Sequence, residues 1–129
     1  MRIDVLGVGF DNCTMDQAVA EGIRLMGDGG CHYVVTPNPE IVEMCREDEE
    51  VRRIINGADL VLPDGVGVIY AARMLGTPLK EKVPGVDFAQ KLMASMAGSG
   101  KTLFLLGAKP GVAEEAGRRL GAAYPGLRI

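Results

Sequence analysis

The sequence predicts an α/β fold, with helices layered on both faces of a mostly parallel sheet. Three observations carry that expectation. Short apolar runs such as Tyr33–Val35 and Asp59–Leu62 alternate with longer stretches whose apolar residues recur every three or four positions. Proline and glycine stand at the joints: Pro37 and Pro39 after one run, Pro63, Gly65 and Gly67 after the next. Strands alternating with helices need crossover connections, and crossovers pair strands in parallel. At 129 residues, 47% hydrophobic and 24% charged, the chain reads as a single globular α/β domain over residues 1–129.

Taken in order, Arg2–Gly7 reads as a first strand through Ile3, Val5 and Leu6. Thr14-Met15-Asp16-Gln17 has the form of a capping box, in which Thr14 and Gln17 satisfy each other's backbone N–H groups. Met15, Ala18, Val19, Gly22, Ile23 and Met26 then make an inward helical stripe, which Gly27, Gly29 and Gly30 end. His32–Thr36 is the second strand. Asn38 stands as a helix N-cap, with Pro39 in the first helical position and Glu40 near the positive end. Ile41, Val42 and Cys45 face inward. The acidic run Glu47–Glu50 opens a further helix, with Val51, Ile54 and Ile55 inward and Gly57 at its end.

Beyond the strand at Asp59–Leu62, Val66–Leu75 is a nearly uncharged helix, apolar on most sides and therefore expected to be buried. Gly76–Gly85 is a charged loop containing Pro78 and Pro84. Phe88, Leu92 and Met96 share one face of the next helix, and Lys101–Gly107 is the clearest strand signal in the chain. Pro110–Tyr124 is amphipathic through Val112, Ala113, Ala116 and Leu120, and Leu127–Ile129 begins another strand. Because that last unit has only begun its second strand, the sequence reads as truncated, the front of a longer protein.

Several functional classes lose ground at once. A formal charge of −3 argues against a broad nucleic-acid surface, which needs a basic excess. Cys13, Cys31 and Cys45 show no CxxC spacing and read as reduced, packed thiols. No apolar run reaches the length of a membrane span and the N-terminus lacks a signal-peptide pattern, which suggests a soluble, cytoplasmic chain. The sole histidine, His32, starts a strand, so a zinc site or a Ser-His-Asp triad is disfavoured and no metal is expected. Gly98-Ser99-Gly100-Lys101-Thr102 mimics a phosphate loop, but that pattern needs glycine where Ser95 stands, and it follows a strand rather than opening one. Gly107-Ala108-Lys109-Pro110-Gly111 is better placed, between strand and helix. It can aim backbone N–H groups at a phosphate, or it can be an ordinary connection.

Chemistry in α/β proteins gathers at the carboxyl ends of strands. Here Thr36-Pro37-Asn38 and Pro63-Asp64-Gly65 occupy two such ends and read as opposite walls of one site. Asp64 is either the cap of the helix near Val66 or a carboxylate at the mouth of a cleft, serving as a general base or holding sugar hydroxyls. Gly65 and Gly67 would let a ligand approach the backbone. Thr36 and Asn38 are either cap and turn residues or hydrogen-bonding groups for a polar ligand.

Together, Val35-Thr36-Pro37-Asn38-Pro39-Glu40-Ile41-Val42, Leu62-Pro63-Asp64-Gly65-Val66-Gly67, Val83-Pro84-Gly85-Val86-Asp87, and Leu105-Leu106-Gly107-Ala108 with Val112-Ala113-Glu114 resemble the WecG/TagA/CpsF family of bacterial glycosyltransferases. The resemblance covers essentially all 129 residues. It implies a Rossmann-like sheet and inverting transfer of N-acetylmannosamine, or a related sugar, from a UDP-sugar to undecaprenyl-diphosphate-linked N-acetylglucosamine. That reaction serves wall teichoic acid or other surface polysaccharides. It implies Asp64 as base, with Thr36 and Asn38 in the same pocket and Gly65, Lys82, Asp87, Gly107 and Ala108 as further substrate-binding positions. Lys82 departs from the arginine that family members often carry; it keeps the charge but loses the bidentate fork. The resemblance further implies peripheral attachment to the inner face of the cell membrane, and a homo-oligomer is expected. No cofactor beyond the UDP-sugar substrate is implied. A non-catalytic nucleotide-sugar-binding domain with the same layers is the alternative, since fold alone does not fix function. A nicotinamide-dependent oxidoreductase is weakened by the missing glycine fingerprint.

Overall fold

A hairpin that the periodicity does not announce opens the first of two units, Met1–Phe88, in the computed structural model, which describes residues 1–129. β1 (Arg2–Val5) turns through Leu6-Gly7 into β2 (Val8–Asp11), pairing Val5 with Val8 and Arg2 with Asp11. Such a two-residue turn needs positive φ at both central positions, met by Leu6 at 53° and Gly7 at 96°. So short a connection can join only antiparallel strands, so the stretch expected to be one strand over Arg2–Gly7 is instead the first arm and turn of a hairpin. Alternation along the two strands buries Ile3, Val5, Val8 and Phe10. Phe10 and Val8 have no exposed surface; full burial of such a side chain contributes about 1.5–3 kcal/mol.

Polar struts fix the hairpin to the rest of the unit. The Asn56 amide donates to Gly7 O and accepts from Gly9 N–H, both at 2.9 Å. Arg2 donates to Asn56 O at 2.7 Å and Ala58 O at 2.5 Å. Asp11 accepts the N–H of Val61 at 2.8 Å.

α1 (Met15–Gly27) begins with the expected capping box: Thr14 Oγ1 accepts from Gln17 N–H and Gln17 Oε1 from Thr14 N–H. Its buried line is Ala18, Gly22 and Leu25; Val19 and Met26 lie at the edge of that line and Ile23 is exposed. The small Ala18 and Gly22 allow close approach on that face, which rotates the stripe away from Ile23.

β3 (Val34–Val35) and β4 (Leu60–Val61) pair in parallel, Val34 with Leu60 and Val35 with Val61. The crossover between them is α2 (Pro39–Glu47) followed by α3 (Glu49–Asn56). Asp48 ends α2 and caps α3, its Oδ1 accepting from Glu50 and Val51 N–H at 3.0 and 3.2 Å. Val51 and Ile55 pack against the core, while Ile54 is exposed, contrary to the inward placement expected of it. Adjacent residues of a helix diverge by about 100°, so 54 and 55 cannot both face one narrow seam.

The core of this unit gathers Ile3, Val5, Val8, Phe10, Val42, Cys45, Val61, Val68, Ala72 and Leu79. α4 (Val66–Met74) contributes only Val68 and Ala72 as buried residues. Val66, Tyr70 and Met74, spaced four apart, form an exposed apolar face, with Met74 87% exposed. The helix was expected to be buried; uniform apolar composition does not bury a helix that packs on one side only. α5 (Gly85–Met96) runs across the boundary between the units, with Phe88 and Met96 buried and Leu92 half-buried along one face.

In the second unit, Ala89–Ile129, Lys101–Gly107 is not a regular strand. It makes one parallel bridge, Thr102 with Arg128, and Leu103 N–H donates to Arg128 O at 2.8 Å. Phe104 and Leu106 are left 81% and 90% exposed. α6 (Val112–Ala123) follows Gly111, whose φ of 88° breaks the chain into the helix. The fold is thus α/β, with six helices, one antiparallel pair of strands and one parallel pair.

Candidate functional site

The parallel pair sets the site by ending at prolines. Beyond β3 and β4 the two chains stay in step, with Leu62 N–H donating to Val35 O at 2.9 Å and Asp64 N–H to Pro37 O at 3.2 Å. Pro37 and Pro63 are buried. They stiffen both chain ends, and Thr36-Pro37-Asn38 and Pro63-Asp64-Gly65 lie side by side. Along the other side of Asp64 runs Val83-Pro84-Gly85: Val83 N–H donates to Pro63 O at 2.7 Å, and Gly85 N–H donates to Asp64 Oδ2 at 3.1 Å.

Asp64 does not cap α4. Gly65 holds that position, with φ 105° and no side-chain cap bond, a conformation that L side chains rarely adopt. The half-buried Asp64 carboxylate instead takes the N–H of the first residue of α5 through one oxygen, and the protein leaves Oδ1 open. Thr36 stands on the other side of Gly85: a Cβ added at Gly85 would lie 2.8 Å from Thr36 Oγ1. Asn38 does cap α2, its Oδ1 accepting from Ile41 N–H at 3.0 Å. The rest of its amide, the Nδ2 group, is not used by that cap. Pro39 closes the wall, since a Cβ at Gly67 would approach its Cγ to 2.7 Å.

Thr36, Asn38, Asp64 and Gly65 are therefore gathered at one end of the parallel pair. Lys82 and Asp87 are exposed on either side of Gly85 in sequence, Asp87 in the first turn of α5. Gly107 (φ 120°) and Ala108 (φ 65°) lie in the second unit, at an exposed bend ahead of α6. The residue that sequence reasoning missed is Gly85. It stands inside the Val83–Asp87 motif, but nothing in the sequence signals its contact with Asp64.

The densest charge cluster lies at the opposite end of the parallel pair. His32 contacts Asp59 through Nδ1 at 3.0 Å and Asp28 through Nε2 at 2.8 Å. Hydrogen bonds donated to Asp28 and then to Asp59 raise the His32 pKa above the usual histidine range. Asp28 is held low first by Gly30 N–H and then by His32; Asp59 first by Tyr33 N–H and then by His32. This is a clasp between the end of α1 and the starts of β3 and β4, consistent with a structural histidine. No three His, Cys, Asp or Glu side chains are grouped to hold a metal ion, and no helix is long and apolar enough to cross a membrane.

Comparison with known proteins gives one consistent finding. The model of the glycosyl transferase WecG/TagA/CpsF family matches residues 3–129. N-acetylglucosaminyldiphosphoundecaprenol N-acetyl-beta-D-mannosaminyltransferases of Staphylococcus aureus strains NCTC 8325 / PS 47 and COL are each 33% identical over 128 residues. The match covers 98% of this chain and 50% of each relative, so the chain spans about half the length of the curated relatives it matches.

Proposed function

The chain belongs to the glycosyl transferase WecG/TagA/CpsF family, and from that premise we propose that it serves an inverting glycosyltransferase. The donor is a UDP-linked N-acetylmannosamine or related sugar. The acceptor is undecaprenyl-diphosphate-linked N-acetylglucosamine, in the synthesis of wall teichoic acid or another surface polysaccharide. The relatives' names supply the acceptor and the transferred sugar. The single observation that carries the reading to these residues is Asp64: a half-buried carboxylate at a strand end, one oxygen held by Gly85 N–H and the other open, beside Thr36 and Asn38.

That geometry supports the following chemistry. Inversion in one displacement needs a base at the acceptor hydroxyl and stabilisation of the departing diphosphate. Asp64 takes the hydroxyl proton as the acceptor oxygen bonds to the anomeric carbon. The carbon–oxygen bond to UDP breaks, and its electron pair leaves with the diphosphate. Thr36 and the free part of the Asn38 amide orient the sugars, and the backbone at Gly65 admits a ligand closely. Lys82 and Asp87 join the binding set in this reading, Lys82 supplying positive charge without a guanidinium's fork. No metal is assigned a role.

The same reading takes residues 1–129 as one glycosyltransferase domain with a Rossmann-like sheet. The parallel β3–β4 pair, with its helical crossover, is what supports that sheet. It places the enzyme at the cytoplasmic face of the membrane, where a polyprenyl acceptor is presented, and as a homo-oligomer. The test is UDP release by the full-length protein with UDP-N-acetylmannosamine and a prenyl-diphosphate-linked N-acetylglucosamine, beside calorimetry with the donor alone; residues 1–129 alone are expected to be inactive. Acceptor-dependent release supports transfer; donor binding without release in any acceptor's presence would favour a non-catalytic nucleotide-sugar-binding domain.

A further inference from the structure

We propose that Gly85 is the positioning residue for Asp64, and that its missing side chain and its backbone N–H together decide which carboxylate oxygen takes the acceptor's proton. The inference rests on the reading of Asp64 as base. Gly85 N–H occupies Oδ2 at 3.1 Å, which leaves Oδ1 as the oxygen open to substrate. The proton of the acceptor hydroxyl passes to Oδ1 as the new glycosidic bond forms and UDP departs with the electron pair of the broken bond.

The requirement for glycine here is space, not backbone freedom, since Gly85 is not among the glycines with positive φ. A Cβ at this position would meet Thr36 Oγ1 at 2.8 Å, Cγ2 at 3.1 Å and Cβ at 3.2 Å. Thr36 is β-branched and stiff about χ1, so it cannot swing aside freely. Val83 N–H holds the segment to Pro63 O at 2.7 Å on its other flank. A side chain at 85 therefore has two outlets: it tilts the segment and draws the N–H from Oδ2, or it displaces Thr36. Either one misplaces the base relative to the acceptor. Misplacement by about 1 Å can cost on the order of a hundredfold in rate.

Gly85→Ala, Thr36→Ala and the double variant test the proposal in the transfer assay, with donor calorimetry and thermal melting alongside. The expected result is a fall in kcat of about ten- to a hundredfold for Gly85→Ala, with the donor dissociation constant within about threefold of wild type. In the Thr36→Ala background, where two of the three close contacts are gone, adding Gly85→Ala should cost less than about threefold. Should Gly85→Ala fail to fold, the double variant against Thr36→Ala carries the comparison alone. Equal kcat in Gly85→Ala and wild type, or an undiminished loss in the Thr36→Ala background, overturns the proposal. A full-length protein that transfers no sugar at all would sink the reading of function, and the contact then stands or falls on NMR. The Gly85 amide proton should resonate downfield and move upfield in Asp64→Ala; an unmoved resonance overturns it.

Discussion

Replacing Asn38 separates two jobs that the structure puts on one side chain. Its Oδ1 accepts from Ile41 N–H at 3.0 Å, which caps α2, and its Nδ2 group is free to donate to a substrate. Serine keeps a neutral capping oxygen and removes the amide NH2 group, its shorter hydroxyl not reaching the same place, and as a cap it ranks close to asparagine. Asn38→Ser should therefore melt within about 0.5 kcal/mol of wild type. If the amide holds a sugar or phosphate oxygen, kcat/KM falls by about tenfold for a neutral partner and more for a charged one, the scale of one lost hydrogen bond. Asn38→Ala should lose the same activity and about 1 kcal/mol of stability as well. Paired denaturant melts and UDP-release kinetics read both quantities. Asn38→Ser with wild-type kinetics would show that Asn38 is a cap alone and refute its place in the binding set.

Two further outcomes follow from the polar struts. Asn56→Ala leaves Gly7 O and Gly9 N–H of the hairpin without their partners, and should cost about 1–3 kcal/mol in a denaturant melt; a loss below the error of the melt would make the strut dispensable. The His32 clasp should give stability a definite pH dependence. A raised histidine pKa stabilises the fold fully below the unfolded value of about 6.5 and loses that contribution as pH rises through the folded value. The lowered Asp28 and Asp59 stabilise above the unfolded aspartate value of about 3.9 and lose their contribution as pH falls through the folded ones. Melting midpoints should therefore decline from pH 6 toward pH 9, and His32→Asn should flatten that decline; an unchanged slope contradicts the clasp.

What was legible in the sequence was local. The Thr14–Gln17 box and Asn38 before Pro39 each use partners within three residues and form as expected, and the acidic run does open a helix, from Glu49, with Asp48 as the cap that was not foreseen. The β3–α2–α3–β4 crossover was readable for a related reason, because the periodicity changes at prolines. The hairpin was not, because Leu6-Gly7 lacks the Asn-Gly or Asp-Gly signal and its apolar flanks read as one strand. Lys101–Gly107 has strand composition, but a strand is completed by its neighbours, which composition does not supply. For the site, the two walls were readable from Thr36-Pro37-Asn38 and Pro63-Asp64-Gly65. The partner of Asp64 was not: Gly85 is 21 residues away and acts through a backbone N–H, which any non-proline residue possesses.

Asp64→Asn tests the central claim most directly. Asparagine is nearly isosteric and its oxygen can still accept from Gly85 N–H, so the fold and donor binding should be retained while the basic carboxylate is lost. The measurement is single-turnover transfer from UDP-N-acetylmannosamine to the prenyl-diphosphate-linked acceptor, with the donor dissociation constant determined on the same preparation. The account predicts a rate lower by about two orders of magnitude or more, the scale of a lost general base, at unchanged donor affinity. A rate within a few-fold of wild type would contradict it and leave Asp64 as an anchor for the first turn of α5.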